Sequence, residues 1–248
     1  MIEVKNISKD FKEVRGFNKL LLKNISLNII PENVTSVIGP TGSGKSTLLK
    51  IISGLESASE GKVVHKGNKR IIYIPSEPSS FPWLNVEENI SLGLIEKDQN
   101  EIKDILKIVE LEGYESFHPN NKSYGFRFRI ALARSLAHHP AAILLDEPFK
   151  QMESQTKEEI MLLIREVQNK IKTTFLLATS NITEALFLSD KIYLMKKDPG
   201  EIISDLQIEF PTERNEFIYD SEKYIHLKSQ IEKTFKGINS QKLFNLSI

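Results

Sequence analysis

One nine-residue segment, Gly39-Pro-Thr-Gly-Ser-Gly-Lys-Ser-Thr47, constrains the fold of this chain more than any other feature. It fits the pattern G-x-x-x-x-G-K-[ST] of a phosphate-binding loop. It follows the apolar run Val34–Ile38 and precedes the helix-like segment Leu48–Ser53, which is the strand–loop–helix context that such a loop requires. The segment therefore predicts an α/β fold with a site for a nucleoside triphosphate at the end of a strand.

The chemistry of this loop depends on its glycines, its lysine and its hydroxyl groups. The glycines allow the backbone to curl so that successive N–H groups point at a polyphosphate, and the following helix adds its positive N-terminal end. Lys45 is expected to reach the β- and γ-phosphates, and the Ser46 hydroxyl is expected to ligate Mg²⁺. The residues predicted to bind the nucleotide are Gly39, Pro40, Thr41, Gly42, Ser43, Gly44, Lys45, Ser46 and Thr47.

Composition narrows the class of protein further. The 248 residues suffice for one large α/β domain, or for a domain with a subdomain. Lys+Arg and Asp+Glu both number 33, so no net charge attracts nucleic acid, and we expect no nucleic-acid partner. The absence of cysteine suits a reducing cytosol. The charged N-terminus lacks the apolar centre of a signal peptide, and no run of about 18 apolar residues occurs, so work at a membrane is expected from outside the bilayer.

Strand-like and helix-like segments alternate along the chain, which predicts a mostly parallel sheet. Strands are expected over Ile2–Ser8, Leu20–Ile29, Val34–Ile38, Val63–Val64, Arg70–Ile74, Ala141–Leu145, Thr174–Ala178 and Lys191–Met195. Helices are expected from Lys45 to the residue before Gly54, and over Glu87–Leu94, Glu101–Val109, Phe126–Ala137, Ser154–Lys170 and Ile182–Leu188. In the tail, Tyr224, Leu227, Ile231 and Phe235 share one helical stripe, which predicts a helix packed on the domain.

A second informative segment is Ile143-Leu-Leu-Asp-Glu-Pro148. A carboxylate at the carboxyl end of a buried parallel strand lies where open α/β sheets bind their ligands. Asp146 is expected to hold Mg²⁺, through water, and Glu147 is expected to be the catalytic group that orients or polarises the attacking water. The alternative for Asp146 is a cap on a following helix.

Several further motifs resemble those of the ATP-binding subunits of ABC transporters, in particular the nitrate/sulfonate/taurine importers. The resemblance extends from Ile2 to about Arg214. Its motifs are Phe81-Pro-Trp-Leu-Asn-Val-Glu-Glu-Asn-Ile90, Ile130-Ala-Leu-Ala-Arg-Ser-Leu136, Leu145-Asp-Glu-Pro-Phe149 and Glu184-Ala-Leu-Phe-Leu-Ser-Asp190. Phe11 matches the aromatic residue that stacks on adenine in this family, with an ordinary core phenylalanine as the alternative.

The resemblance implies an architecture and a set of partners. Its fold is a RecA-like core over residues 1–76 and 141–214 with an N-terminal antiparallel β part, an inserted helical subdomain over 77–140, and here a helical tail over 215–248. Two such cassettes sandwich two ATP molecules, each between one phosphate loop and the partner's signature loop. The family works at the cytoplasmic face of the cell membrane with transmembrane permease subunits, which dock near the Pro-rich loop and the helical subdomain.

The chain departs from the family pattern within the hydrolytic machinery. Ser76 stands where the family has a glutamine that reaches Mg²⁺ and the attacking water, and its side chain is too short to do so. Ser180 stands where the family has a histidine that contacts the γ-phosphate. The loop that usually reads Ser-Ala-Leu-Asp is Lys150-Gln-Met-Glu153.

The signature loop is altered as well. The family sequence Leu-Ser-Gly-Gly-Gln reads Lys122-Ser-Tyr-Gly-Phe126 here, so that Ser123 and Gly125 remain. Tyr124 replaces a glycine that lies close to the partner's γ-phosphate, where a side chain adds bulk.

These substitutions predict a subunit that binds ATP, hydrolyses it weakly alone, and pairs with a different, intact ATPase subunit. The retained Glu147 favours one alternative, a slow but active homodimer. A regulatory ATP-binding module without a transporter is a third possibility. A soluble nucleotide kinase would explain Lys45 but not the motifs at Phe81–Ile90 and Leu145–Phe149.

Overall fold

The computed structural model describes residues 1–12, 18–77, 80–120, 122–211 and 213–244, with the side chains of residues 12, 18 and 238–244 left out. The strands are β1 Ile2–Lys12, β2 Asn18–Ile29, β3 Val34–Ile38, β4 Glu60–His65, β5 Ile71–Ile74, β6 Ala142–Asp146, β7 Phe175–Thr179, β8 Lys191–Lys196 and β9 Glu201–Gln207. The helices are α1 Lys45–Ile52, α2 Val86–Ser91, α3 Gln99–Ile108, α4 Tyr124–Ala137, α5 Ser154–Ile171, α6 Ile182–Leu188 and α7 Glu222–Phe244, with a 3₁₀ helix over Glu216–Asp220.

The larger sheet has six strands in the order β5-β6-β7-β3-β8-β9. Its first five strands are parallel, and β9 is antiparallel to β8 at the edge. Every residue of β3, β6 and β7 is buried, because helices cover both faces of this part of the sheet, and most residues of these strands are apolar. The alternation read from the sequence therefore predicted the sheet correctly.

A second, three-stranded antiparallel sheet has the order β2-β1-β4. Strands β1 and β2 pair in register from Ile2 opposite Ile29 to Lys12 opposite Asn18, with bulges along the ladder. Its inward-facing side chains share one hydrophobic cluster with α1 and with one face of the larger sheet. The expected N-terminal antiparallel part of the fold is present.

Helices α2, α3 and α4 form the segment between β5 and β6. Asn85 begins α2 with a capping box: its Oδ1 accepts from the Glu88 N–H, and the Glu88 carboxylate accepts from the Asn85 N–H, both at 2.8 Å. The helix ends at Ser91, earlier than the predicted Leu94, because the chain turns at Gly93 with a φ of 81°. One hydrophobic cluster joins these helices to the strands of the core, so the insertion packs directly on the sheet.

Strand β9 was not predicted from the sequence. Its residues are at most half-buried, and its apolar side chains do not alternate, so the period-two pattern of a strand is missing. The strand forms because its backbone pairs with β8 in an antiparallel ladder.

The C-terminal helix α7 packs on the domain as its stripe predicted. Tyr224 and Ile231 are buried in a cluster with residues of α6, β8 and β9, and Leu227 and Phe235 pack against it. The tail thus extends the hydrophobic core at the edge of the sheet that ends in β9.

Arg214 fixes the chain just before this tail. Its buried guanidinium donates to the carbonyl oxygens of Phe187 at 2.6 Å and Ser189 at 2.9 Å, and it pairs with Asp190 at 3.0 Å. Burial lowers the pKa of Arg214 to about 10. These bonds satisfy carbonyl groups at the end of α6 that the helix itself leaves without donors.

We expect Arg214→Ala to lower the free energy of unfolding by about 3 kcal/mol, because several buried acceptors lose their donor at once. The measurement is urea unfolding followed by circular dichroism. Lys103→Ala, at an exposed position of α3, is the control and should change stability by less than about 0.5 kcal/mol. A loss below about 1 kcal/mol for the arginine variant would contradict the anchoring role.

Candidate functional site

The phosphate-loop segment lies between β3 and α1, at the edge of the sheet where the parallel strands end. Gly42 and Gly44 have φ values of 84° and 93°, in the left-handed region that side chains disfavour. The backbone therefore curls as the motif predicted, and α1 begins at Lys45 with its N-terminus at the loop.

At two glycines of the loop, Gly39 and Gly44, close packing leaves no room for a side chain, whatever their dihedral angles. A Cβ on Gly39 would lie 2.5 Å from the Met195 carbonyl oxygen, and a Cβ on Gly44 would lie 2.5 Å from Leu22 Cδ2. Gly42 has open space around it, so only its φ requires glycine.

Gly200, far from the motif in sequence, packs directly against the phosphate loop. A Cβ there would lie 2.2 Å from the Ser43 carbonyl oxygen. The Gly200 N–H donates to the Leu21 carbonyl at 2.8 Å, and the Lys23 N–H donates to the Gly200 carbonyl at 2.9 Å. The turn after β8 therefore joins the phosphate loop to β2.

Lys45 is buried, with its ammonium directed at the loop and at the end of β6. Its Nζ donates to the Gly39 carbonyl at 2.7 Å and lies 3.2 Å from a carboxylate oxygen of Glu147. A second, longer contact of 3.4 Å reaches the Pro40 carbonyl. The predicted phosphate-binding cation and the predicted catalytic carboxylate thus form an ion pair.

Asp146 ends β6 with its carboxylate buried and both oxygens occupied. The Ser46 hydroxyl donates to Oδ1 at 2.9 Å, and the Tyr73 hydroxyl donates to Oδ2 at 2.7 Å. Burial, followed by the bond to Asp146, raises the pKa of Tyr73, so its phenol stays protonated and donates at any physiological pH.

Ser46 and Asp146 supply the hard oxygen donors that Mg²⁺ prefers. Across the described parts of the chain, no group of three or more His, Cys, Asp or Glu side chains is arranged to hold a metal. The residues present therefore fit a Mg²⁺ that takes its remaining ligands from phosphate oxygens and water, and the ion would supply charge neutralisation at the phosphates.

Glu147 has a left-handed φ of 45°, and each of its two carboxylate oxygens has its own partner. One oxygen pairs with Lys45, and the other accepts from the Ser180 backbone N–H at 3.2 Å and from the Ser180 hydroxyl at 3.3 Å. The Glu147 N–H donates to the Ala178 carbonyl at 2.8 Å, which fixes the strained residue to the end of β7. Ser180 therefore contacts the carboxylate from the position where the resembled family has histidine.

These groups line one open cavity of about 410 Å³. Its lining residues are Leu21, Thr41, Gly42, Gly44, Lys45, Ser46, Thr47, Ser76, Asp146, Glu147, Lys150 and Ser180. The structure thus brings together the loop, both carboxylates and the two serines at the substituted positions.

Phe11 does not line this cavity, and residues 13–17 lie outside the described residues. Its ring is 43% exposed and receives the Lys9 ammonium at 4.9 Å from its centroid. The alternative of a buried core phenylalanine is wrong, and the stacking on adenine remains a prediction.

The signature residues lie at the start of α4, apart from the cavity. Ser123 caps this helix by accepting from the Phe126 N–H at 3.2 Å. Tyr124 lies beneath the Arg127 guanidinium, 4.3 Å from its ring centroid. A Cβ on Gly125 would lie 2.5 Å from Thr156 Cγ2, so this glycine allows α4 to approach α5. Their role toward a partner's nucleotide remains a prediction.

Sequence reasoning missed two residues at the site. Tyr73 was read only as part of a strand, because its bond to Asp146 depends on the pairing of β5 with β6. Lys150 was noted only as part of an altered loop and was given no role, yet it lines the cavity. Asn181 is explained structurally, since its Oδ1 caps α6 by accepting from the Thr183 N–H at 2.8 Å.

A phosphate loop between a parallel strand and a helix, facing an acidic residue at the end of a neighbouring strand, defines a P-loop nucleotide-binding protein. The sequence profile described as ABC transporter matches residues 22–150. The chain belongs to the ABC transporter ATP-binding family, as its motifs predicted.

Individual relatives agree with this assignment. The chain is 34% identical over 244 residues to the aliphatic sulfonates import ATP-binding protein SsuB of Bacillus cereus, covering 95% of this chain and 96% of that protein. It is 31% identical over 238 residues to the sulfate/thiosulfate import ATP-binding protein CysA of Halalkalibacterium halodurans, covering 88% of this chain and 65% of the relative.

A solved structure is similar across most of the chain. The dimeric structure of MJ0796, a bacterial ABC transporter cassette, superposes with a TM-score of 0.73 at 30% identity, covering 85% of this chain and all of that one. The same cassette is known in a dimeric post-hydrolysis state bound to ADP and Pi, with the same TM-score and coverage. The α/β fold with a helical insertion is therefore that of ABC ATPase cassettes.

Alanine at Gly42 and at Gly44 should separate dihedral strain from collision. We expect Gly42→Ala to cost about 1–2 kcal/mol of stability from its left-handed φ alone. Gly44→Ala carries the same strain, and its methyl group also collides with Leu22, which should add about 1–3 kcal/mol. Urea unfolding of both variants gives the comparison, and equal stability of the two would show that the Leu22 contact does not restrict this position.

Proposed function

We propose that this chain is the ATP-binding subunit of an ABC importer for a small solute, with hydrolysis that is weak unless an intact partner subunit is present. One observation carries the proposal. The groups that grip a nucleotide (Lys45, Ser46 and Asp146) face one cavity together, while the glutamine and histidine positions of the family are filled by Ser76 and Ser180 at the same cavity.

Binding of Mg²⁺–ATP is supported by the charges and donors of the site. The loop presents curled backbone and the N-terminus of α1, and Lys45 supplies a buried cation. Lys150 adds a second positive side chain to the wall of the cavity. Ser43 Oγ is buried with no hydrogen-bond partner among the described residues, as expected of a loop built for a ligand.

Weak turnover is supported by the absence of the family's glutamine and histidine side chains at positions 76 and 180. Ser76 is shorter than the glutamine it replaces, and Ser180 lacks the imidazole of the histidine it replaces. Ser180 directs its hydroxyl to Glu147, so the carboxylate is held in place but receives no cation from this loop. Each missing catalytic group costs on the order of 10²–10⁴ in rate, and the losses are not additive.

Pairing with a different ATPase subunit is supported by the signature loop. Tyr124 puts a ring beneath the Arg127 guanidinium at the start of α4, where the family has a glycine beside the partner's phosphate. In a heterodimer, the intact subunit supplies glutamine and histidine at its own phosphate loop, and this chain's Ser123–Phe126 completes that site. That composite site keeps its water-activating groups and is the better one for turnover.

Docking of a transmembrane permease is supported by exposed aromatic surface at the start of the helical insertion. Trp83 is 70% exposed and contacts Phe81, whose ring receives the Arg134 guanidinium at 4.9 Å. Across the described residues, no helix is long and apolar enough to cross a bilayer. A peripheral place at the cytoplasmic face, with a permease supplying the membrane-spanning segments, follows from the proposed function.

In such a transporter the partner subunits, and not the ATP-binding subunit, select the solute. Relatives of similar identity are named for import of aliphatic sulfonates, of sulfate and thiosulfate, and of spermidine and putrescine. Anionic and cationic solutes both occur among them, so the cassette is compatible with any small solute and the partner subunits select it.

ATP binding and turnover can be tested on the purified chain with a fluorescent ATP analogue and a phosphate-release assay. Lys45→Ala should lower nucleotide affinity roughly 10–100-fold, because a buried charge-assisted contact is lost. Lys103→Ala is the charge-matched control and should bind normally. If the unmodified chain ignores ATP with Mg²⁺ both alone and in its assembled complex, the proposed function is wrong.

Restoring the family residues tests the cause of weak turnover. The double variant Ser76→Gln/Ser180→His should raise the rate of phosphate release at least about 10²-fold over the unmodified chain. If the unmodified chain alone already hydrolyses ATP at a rate that Glu147→Gln abolishes and the restored residues do not improve, a working homodimer is the correct interpretation. Co-purification with a permease separates both from a regulatory module.

A further inference from the structure

Tyr73 is the one aromatic hydroxyl that reaches the predicted metal carboxylate among the described residues, and the proposed function does not yet use it. We propose that Tyr73 is a positioning residue for Mg²⁺: it holds one oxygen of Asp146 so that the other faces the cation at Ser46. This inference rests on the proposed Mg²⁺–ATP site and names a further residue that the site requires.

Strand register places Tyr73 beside the carboxylate. In the parallel pair of β5 and β6, Tyr73 lies opposite Leu144. Leu144 and Asp146 are two residues apart on one strand, so their side chains leave the same face of the sheet. Tyr73 leaves that face too, and its long side chain spans the diagonal to Asp146 with an O–O distance of 2.7 Å.

The ring of Tyr73 is held independently of its hydroxyl. It packs against the hydrophobic cluster that includes Leu144 and the apolar side of α1. A hydroxyl on a packed ring has little freedom, so it fixes the direction of the carboxylate it binds. The second Asp146 oxygen is the one that accepts from Ser46, which is the predicted Mg²⁺ ligand.

At neutral pH a tyrosine phenol carries its proton, so the Tyr73 hydroxyl donates to Asp146 at 2.7 Å. Groups that hydrogen-bond to metal-binding side chains orient them, and losing such a partner commonly weakens metal affinity by about 10–100-fold.

The position of Tyr73 also gives it a role that Ser76 cannot fill. In the resembled family the glutamine at position 76 connects the segment after β5 to the metal. Here Ser76 lines the cavity with a side chain too short for that contact, while Tyr73, three residues earlier, makes a direct bond to the metal-binding carboxylate. Tyr73 thereby ties β5 to the metal site.

Tyr73→Phe tests this role because it removes only the hydroxyl and keeps the packed ring. Affinity for a fluorescent ATP analogue is measured in EDTA and then with increasing MgCl₂. We expect the Mg²⁺ concentration for half-maximal enhancement of binding to rise about 10-fold, with affinity in EDTA unchanged. Tyr193→Phe is the matched control, since its hydroxyl lies 3.1 Å from the Asn28 backbone nitrogen and outside the cavity.

A double-mutant cycle with Asp146→Asn decides whether Tyr73 acts through the carboxylate. In the Asp146→Asn background, Tyr73→Phe should have no further effect on the Mg²⁺ response, so the two changes are not additive. Additive effects, an unchanged Mg²⁺ response, or equal losses in EDTA and Mg²⁺ would each overturn the positioning role. A wild-type chain that binds no nucleotide in either condition would instead refute the proposed function itself.

Discussion

The parallel register of β3, β6 and β7 is the constraint on which the site depends. Their residues are fully buried and mostly apolar, so helices must cover both faces, and the parallel pairing makes all three strands end at one edge of the sheet. The phosphate loop, Asp146 and the loop holding Ser180 each leave the sheet at that edge. Residues more than 100 positions apart in sequence therefore meet in a single cavity.

Within that cavity the charges largely compensate one another. Lys45 pairs with Glu147, and the Asp146 carboxylate accepts hydrogen bonds from the hydroxyl groups of Ser46 and Tyr73. Such an arrangement keeps buried charges partnered, which a stable interior requires. Ser180, at the position of the family's histidine, donates to the other carboxylate oxygen of Glu147 through its backbone N–H and its hydroxyl.

The sequence predicted those parts of the fold that depend on local pattern. The bounds of β3 and α6 match the structure to the residue, since an apolar run and a helical stripe are complete signals in themselves. The curled backbone at the glycines of the phosphate loop was predicted for the same reason, because a positive φ is a local requirement. Strand β9 was missed, since its stability comes from pairing with β8 and its own residues carry no strand periodicity.

Residues that line the cavity were predictable only where a motif marks them. Lys45, Ser46 and Asp146 stand in motifs and were found together, whereas Tyr73 and Lys150 were not recognised as site residues. The contact of Tyr73 depends on which residue of β6 it faces, and strand register cannot be read from a single sequence. Lys150 belongs to a loop that departs from its family, so the resemblance gave it no role.

Gly200 shows that the shape of the phosphate loop is not encoded in the nine residues of the motif alone. Its missing side chain leaves room for the carbonyl of Ser43, and its backbone links that loop to β2. If the motif were moved to another strand–helix junction, its glycines would go with it, but the turn at Gly200 that packs against Ser43 would not. In this protein the portable unit is the motif together with the turn that follows β8.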